Sequence, residues 1–170
     1  MGTNRRLTGS ASALVLSLAL AACGGTATSG VAAGSSPATS AALIHTTSMK
    51  VGSKTETVLK TQKGLTLYYF TPDTATKLAC TGGCATTWPP LTAPSGTPTS
   101  NPTLPGVLTV ISGANGNQVV YNGHPLYTYS KDGDAGDAYG EGIGGKWFTA
   151  TPDVAAAPRA SSSSAYTPAY

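Results

Sequence analysis

The sequence lacks any run of basic residues. Its 170 residues include 10 Lys and Arg against 7 Asp and Glu, a formal net charge of +3, and two of the positive charges are Arg5 and Arg6. Without that pair, eight basic residues face seven acidic ones and the net charge is +1. We therefore expect no binding of nucleic acid and no strong electrostatic attraction to acidic lipid.

Motifs that carry catalysis are also missing. Serines are abundant, but no Gly-x-Ser-x-Gly occurs and no acidic pair stands out. The glycine-rich segment 140–145 precedes Trp147 and Phe148 rather than a helical pattern, so it does not predict a phosphate-binding loop. We predict that the protein is not an enzyme and that it holds no cofactor and no metal.

The apolar stretch 12–20 is far shorter than the roughly 20 residues that a membrane-spanning helix needs. Because charged residues precede it, it has the form of an export signal over residues 1–22. Leu20-Ala-Ala-Cys23 is typical of a lipobox, which predicts that Cys23 is acylated, for example with palmitate, and becomes the new N-terminus. The alternative is an ordinary cleavage site, which would leave Cys23 as an odd free thiol.

Composition divides the rest of the exported chain. Residues 23–48 are mostly Gly, Ala, Ser and Thr, and such a segment cannot bury enough apolar surface to offset its ordering entropy. We predict a flexible tether there and a disordered tail over residues 155–170. Between them, residues 49–106 hold a first repeat with a proline-rich connection, and residues 107–154 hold a second repeat.

One motif occurs twice in this central part. Gly-x-x-Leu-Tyr-x-aromatic-x-x-Asp begins at Gly64 and again at Gly123, an offset of 59 positions, and a tryptophan follows each aspartate by fifteen residues. Such self-similarity indicates a duplicated unit. The paired motif residues are Tyr68, Phe70, Asp73 and Trp88 in the first copy and Tyr127, Tyr129, Asp132 and Trp147 in the second.

At these residues the chain resembles a family of bacterial lipoproteins described by a Tyr-x-(Phe/Trp/Tyr)-x-x-Asp motif, the secreted repeat of unknown function. The stretches 80–91 and 121–127 are similar to that family as well. The resemblance covers residues 51–153 and implies a location outside the cytoplasm and a two-repeat architecture. It implies no activity.

Each motif reads as part of a β-hairpin. Residues 57–60 and 65–70 flank a turn at 62–64, and residues 118–121 and 126–129 flank Asn122-Gly123, a strong hairpin signal. Residues 107–111 predict a further strand, and only short helical turns are expected. The predicted fold is a small, mainly β domain of two tandem repeats with a pseudo-two-fold relation. The motif aromatics are interpreted as core or, alternatively, as ligand platforms, and the aspartates as turn residues.

Cys80 and Cys84 remain as an even pair once Cys23 is acylated. Two glycines lie between them, and a separation of four residues can bring the Cα atoms within bridging distance. We predict a structural disulfide. Thiol redox chemistry and metal binding stay open as alternatives, although the spacing is not Cys-x-x-Cys and zinc would require further ligands.

The second repeat carries the candidate binding residues. Its acidic, glycine-rich loop offers hard oxygen donors, but it is not an EF-hand because the twelfth position is Ile143. The alternative is an acidic surface loop. We predict a surface in a groove between the repeats, closed on one side by Trp147 and bordered by His124, Tyr127, Tyr129, Asp132, Asp134, Asp137 and Glu141.

The functional prediction is a lipid-anchored extracytoplasmic protein that binds an unidentified envelope protein or ligand, with its acyl chains holding it to the bacterial membrane. The alternative is a redox or metal-handling accessory protein of the envelope that uses Cys80, Cys84 and His124. The two differ in whether the purified protein contains a metal or a reactive thiol pair.

Overall fold

The computed structural model describes residues 42–94 and 96–158. This part of the chain is mainly β, with one short helix and one 3₁₀ turn, which confirms the predicted fold class. The elements are β1 (Ile44–Val51), β2 (Lys54–Thr61), β3 (Tyr68–Phe70), α1 (Gly83–Thr87), β4 (Ser100–Asn101), β5 (Leu108–Gly113), β6 (Gly116–Tyr121), β7 (His124–Tyr127), the 3₁₀ turn (Ile143–Gly145) and β8 (Trp147–Thr149).

Tight turns connect β1 to β2, β5 to β6 and β6 to β7. β1 pairs with β2 along its whole length, and β5 pairs with β6 in the same way. Asn122 and Gly123, with φ of 47° and 82°, join β6 to β7. These positive φ values are what a two-residue hairpin turn requires, and Asn-Gly adopts them at little steric cost.

The strands form two sheets. The order in the smaller sheet is β2-β1-β4, with β4 parallel to β1, and the order in the larger sheet is β5-β6-β7-β3-β8. The two repeats meet in the larger sheet where β3 pairs antiparallel with β7, and Tyr68 lies opposite Tyr127. Equivalent positions of the two copies therefore face each other, as a pseudo-two-fold axis requires.

Each repeat ends in a segment that pairs with the other repeat. Ala150 accepts a hydrogen bond from Leu59 N–H at 2.7 Å and donates its own N–H to the Leu67 carbonyl at 2.8 Å. The counterpart of Ala150 in the first repeat, 59 positions earlier, is Leu91. Leu91 accepts from Val119 N–H at 2.8 Å and donates to the Leu126 carbonyl at 2.9 Å. The repeats are thus interlaced, because the segment around Leu91 or Ala150 in each one forms backbone hydrogen bonds with the other.

Two clusters fill the interior. An aliphatic one lies between the sheets and includes Ile44, Leu59, Leu67, Val119 and Leu126, all fully buried. A second, aromatic cluster lies on the other face of β3 and β7, because alternate residues of a strand point to opposite faces. The motif leucines and the motif tyrosines therefore lie on opposite faces of the larger sheet.

The predicted ends of the domain need correction. The tether prediction is wrong for residues 44–48, which belong to β1, since Ile44 is fully buried and β4 pairs with it. The tail prediction does not hold for the described residues 155–158, because Ala157 is 7 % exposed and donates its N–H to the Asn122 carbonyl. Residues 1–41, with the predicted signal peptide and Cys23, and residues 159–170 lie outside the described part.

The first predicted hairpin is less regular than the second. Lys60 and Thr66 form a single bridge, and Leu67 N–H donates to the Leu59 carbonyl. Beyond that point the returning strand leaves β2 and becomes β3, which pairs with β7 and β8.

Among the described residues no helix has the length and apolar character to cross a bilayer.

Candidate functional site

The motif tyrosines and aspartates form two hydrogen bonds that cross between the repeats. Tyr68 donates its hydroxyl to Asp132 Oδ2 at 2.6 Å, and Tyr127 donates to Asp73 Oδ2 at 2.6 Å. The tyrosines are fully buried, and Asp73 and Asp132 are 3 % and 6 % exposed. Each repeat thus supplies the tyrosine for one pair and the aspartate for the other.

The second oxygen of each carboxylate is also occupied. Asp73 Oδ1 accepts from Ala79 N–H at 2.6 Å and from Cys80 N–H at 3.4 Å. Asp132 Oδ1 accepts from Tyr139 N–H at 3.1 Å, at the same seven-residue spacing as Cys80 from Asp73. Each aspartate therefore has a role beyond the predicted one in a turn. One carboxylate oxygen binds the backbone that follows its own strand, and the other binds the tyrosine of the other repeat.

Burial dominates the electrostatics of these pairs. It raises the pKa of Asp73 and of Asp132 above the ordinary value, against the opposing effect of the tyrosine hydrogen bonds. The pKa of Tyr68 and that of Tyr127 are raised strongly, first by burial and then by the bonds to the carboxylates. Both phenols therefore remain donors over the whole physiological pH range.

Stacked aromatic rings occupy the pseudo-axis beside these pairs. Trp88 and Trp147 stack with ring centroids 3.7 Å apart and planes 2° from parallel. Trp88 stacks on Tyr129 at 4.3 Å, and Trp147 stacks on Phe70 at 4.4 Å, so each tryptophan covers the second motif aromatic of the other repeat. Each of the three stacks thus joins a residue of one repeat to a residue of the other, as the two hydrogen bonds do.

This placement corrects the predicted groove. Tyr127, Tyr129, Asp132 and Trp147 were expected to border a binding surface, yet their exposed fractions are 0 %, 8 %, 6 % and 5 %. The pseudo-axis is packed with rings instead of being concave. The core interpretation of the aromatics is the one that the structure supports.

The disulfide prediction is confirmed. Cys80 and Cys84 are bonded, with their Cα atoms 5.2 Å apart, and Cys84 lies in α1. Cys80 is fully buried in the aromatic cluster, and Cys84 packs against that cluster, as does Ile143, its counterpart in the second repeat. The first repeat thus has a disulfide at the position where the second repeat has apolar packing alone.

The acidic side chains of the second repeat do not converge. Asp132 is in the core, Asp134 is exposed, and Asp137 Oδ2 accepts from Gly133 and Asp134 N–H at 2.8 and 2.9 Å. Glu141 Oε2 accepts from Thr149 N–H at 2.6 Å. Over residues 42–94 and 96–158, no group of three or more His, Cys, Asp or Glu side chains is arranged to hold a metal.

A buried lysine that the sequence did not single out holds this acidic loop in place. Lys60 is 2 % exposed, and its Nζ donates to Thr66 Oγ1 and to the Ala135 carbonyl, each at 2.7 Å. Thr66 Oγ1 in turn donates to the Asp137 carbonyl. Burial lowers the pKa of Lys60, opposed by the charges of Asp132 and Asp137. The sequence signal for this contact is a lysine two residues after Val58, on the same face of β2, because Val58 is fully buried there.

His124 lies under the C-terminal segment. It is 9 % exposed, its ring is tilted against Tyr69 at 4.5 Å, and its Nε2 lies 2.9 Å from the Ala155 carbonyl. A carbonyl can only accept, so Nε2 carries the proton. Nδ1 has no hydrogen-bond partner among the described residues. The metal and thiol alternative that joined His124 to the two cysteines stays a prediction.

The large side chains at the surface lie elsewhere. Val107 and Tyr139 are each 66 % exposed, and Val110 is 37 % exposed. Val107 directly precedes β5 and Val110 lies in it, and Tyr139 belongs to the acidic loop. Of the predicted binding residues, Asp134 is exposed, and the others are buried or half-buried.

The comparisons with known proteins agree with the duplication. A family model described as a secreted repeat of unknown function matches the chain twice, over residues 51–92 and 109–151. Each match includes one motif, one tryptophan and the strand segment that crosses to the other repeat. No curated protein and no solved structure matches the chain.

Proposed function

Because the chain belongs to the family of secreted repeats of unknown function, we propose that it is an extracytoplasmic binding module rather than an enzyme, fastened to the bacterial membrane through Cys23. The family supports the location outside the cytoplasm. The partner in this proposal is a protein or ligand of the cell envelope. Neither nucleic acid nor a cofactor has a part in it.

One observation carries the proposal: the carboxylates and hydroxyls of the motif are hydrogen-bonded to other groups inside the fold. Both oxygens of Asp73 and of Asp132 accept hydrogen bonds from the protein itself, and both tyrosines are fully buried. A general acid or base must reach its substrate within hydrogen-bond distance. The motif is thus suited to holding a rigid scaffold, and recognition falls to the exposed side chains of β5 and of the acidic loop.

Anchoring rests on Leu20-Ala-Ala-Cys23 and on the weak charge of the mature chain. Two acyl chains bind a membrane stably, whereas one gives only marginal binding. We expect the wild-type protein to partition into detergent and to begin at an acylated Cys23. Cys23→Ala should leave it in the aqueous phase, and an aqueous wild-type protein would contradict the anchor.

Recognition is tested separately, by site-specific cross-linking in cells. A photoreactive residue at Tyr139 or Asp134 should give a discrete cross-linked product, and the same residue at Lys54, in the exposed start of β2, serves as the control. A product at Tyr139 that disappears on competition with the unlabelled protein supports a saturable partner. Equal products from all three positions would indicate collision and contradict the proposal.

A further inference from the structure

The starting point is a difference between the two repeats at the edge of their sheets. β4 covers the outer side of β1 at the first two residues of that strand, where Ile44 pairs with Ser100 and His45 with Asn101. β5 is the corresponding first strand of the second repeat, since each of them forms a hairpin with the strand that follows. β5 is the end strand of the larger sheet, and no described residue pairs with its outer side.

The hydrogen-bond phase of β6 shows which groups of β5 face outward. Val119 donates its N–H to the Leu91 carbonyl, on the side of β6 away from β5, and Val119 is opposite Val110. Asn122 N–H, three residues later, donates to the Val107 carbonyl. Hydrogen-bonded and non-hydrogen-bonded pairs alternate along an antiparallel ladder. The backbone N–H and C=O groups of Leu108, Val110 and Ser112 therefore point to the open edge.

The composition of this edge is unusual. Residues 107–113 read Val-Leu-Thr-Val-Ile-Ser-Gly, with no charged residue and no proline. Natural proteins normally protect an open edge with lysine, proline or a bulge, because unpaired strand groups pair with other chains. β1 and β2, in contrast, carry Lys50 and Lys54 beside their common turn. Val107 and Val110 add exposed apolar surface to the unprotected strand.

We propose that β5 pairs antiparallel with β5 of a second copy of this chain, about a two-fold axis at Val110, joining two larger sheets edge to edge. In this register Val110 lies opposite Val110 of the second copy, and Leu108 lies opposite Ser112 of the second copy. Every outward N–H and C=O of the three residues then has a partner. Because residues 107–113 are uncharged, no like charges meet across the axis. The two-fold axis makes the interface isologous, since both copies use the same strand.

The test compares two charge insertions in the full exported chain. Val110→Lys places an ammonium group on each side of the axis, and Thr47→Lys adds the same charge at an exposed position of β1. Sedimentation equilibrium over a dilution series, in density-matched detergent if the protein is acylated, gives the mass. We expect the wild type and Thr47→Lys to be dimeric and Val110→Lys to be monomeric. The melting temperature of Val110→Lys should equal that of the wild type diluted until it is monomeric.

Cysteine trapping tests the register. Val110→Cys should form an intermolecular disulfide on export, whereas Thr109→Cys, which the axis places opposite Ile111 of the second copy, should form much less. A monomeric wild type overturns the proposal, whether the edge is open or is covered by another protein. A dimeric Val110→Lys variant, or stronger trapping at Thr109 than at Val110, overturns it as well. Cross-linking at Tyr139, which tests the envelope partner, is independent of all these outcomes.

Discussion

At the scale of single residues, the motif is a device for joining two copies of a sequence. A buried carboxylate is unfavourable unless its oxygens are paired, and here each carboxylate is paired by a tyrosine of the other repeat. The tyrosine, its aspartate and the tryptophan beside them are conserved in type between the two halves of this chain because each half needs its twin. The same residues in a lone hairpin would have no partners.

The first prediction concerns the crossing bonds. Tyr68→Phe should lower the free energy of unfolding by about 1–3 kcal/mol, since it leaves a buried acceptor on Asp132 unpaired. Tyr127→Phe should have a similar effect, and Tyr139→Phe, at an exposed ring, should stay within about 0.5 kcal/mol. Urea denaturation measures all three. A double-mutant cycle of Tyr68→Phe with Asp132→Asn should be non-additive, and strict additivity would argue against the bond.

The second prediction follows from the raised tyrosine pKa values. In the unfolded chain tyrosine has a pKa of about 10, and burial and the carboxylates raise the pKa of Tyr68 and of Tyr127 in the fold. Their contribution is fully present below pH about 10 and is lost as the pH rises further, because the unfolded state then releases protons that the folded state keeps.

Lys60 acts in the opposite direction, because its pKa is lowered in the fold. A comparison between variants removes its contribution. The double variant Tyr68→Phe/Tyr127→Phe should lose less stability than the wild type between pH 9 and pH 11, as followed by urea denaturation at each pH. Parallel curves for the two proteins would contradict the assignment.

At the scale of elements, the sequence predicted what lies within a repeat better than what passes between repeats. The offset of 59 located both motifs, the Asn-Gly pair located the turn at 122–123, and the run 107–111 predicted β5. The offset could not show that residues 91 and 150 pair with the opposite copy, because two similar repeats offer each segment similar partners in either copy. β1 was missed since His45-Thr-Thr-Ser48 resembles the polar tether before it. The second repeat held the clue, because its counterpart β5 needs an equivalent in the first.

The candidate site was mispredicted for a related reason. Tyr, Trp, Asp and His are the residues that ligand sites use, and composition does not distinguish such a site from a polar core. Asp132 and Tyr127 become buried because of contacts with Tyr68 and Asp73, which are more than 50 residues away in sequence. Only the pairing of β3 with β7 brings these residues together.

The third prediction concerns the disulfide and its counterpart. Removing so short a covalent loop should lower the free energy of unfolding by about 2 kcal/mol. Ile143 fills the position equivalent to Cys84. We therefore expect Cys80→Ala/Cys84→Ile to be more stable than Cys80→Ala/Cys84→Ser, because the isoleucine restores apolar contact with the aromatic cluster. Equal stability of the two variants in thermal or urea unfolding would show that Cys84 contributes only its covalent bond.

At the scale of the whole molecule, the interlaced sheets make the domain one cooperative unit. The aliphatic cluster takes residues from both copies, and the aromatic cluster stacks the two tryptophans on each other. A cut between the repeats leaves β3 on one fragment and its partners β7 and β8 on the other, so these strand pairs hold the two fragments together. The connection around residues 94–97 is exposed at Pro94, Gly96 and Thr97, so it can accept a cleavage site.

The last prediction uses such a site, inserted after Pro94. After cleavage the two fragments should co-elute in gel filtration and unfold in one transition, because the strands around Leu91 and Ala150 still complete each other's sheets. The second fragment produced alone lacks the partner for Ala150 and the carboxylate for Tyr127, and should give the circular dichroism of an unfolded chain or associate with itself. The uncleaved inserted protein is the control for folding. Two separate transitions, or a folded monomeric second fragment, would show that the repeats are independent domains and that the exchange of strands between them does not determine the stability of the fold.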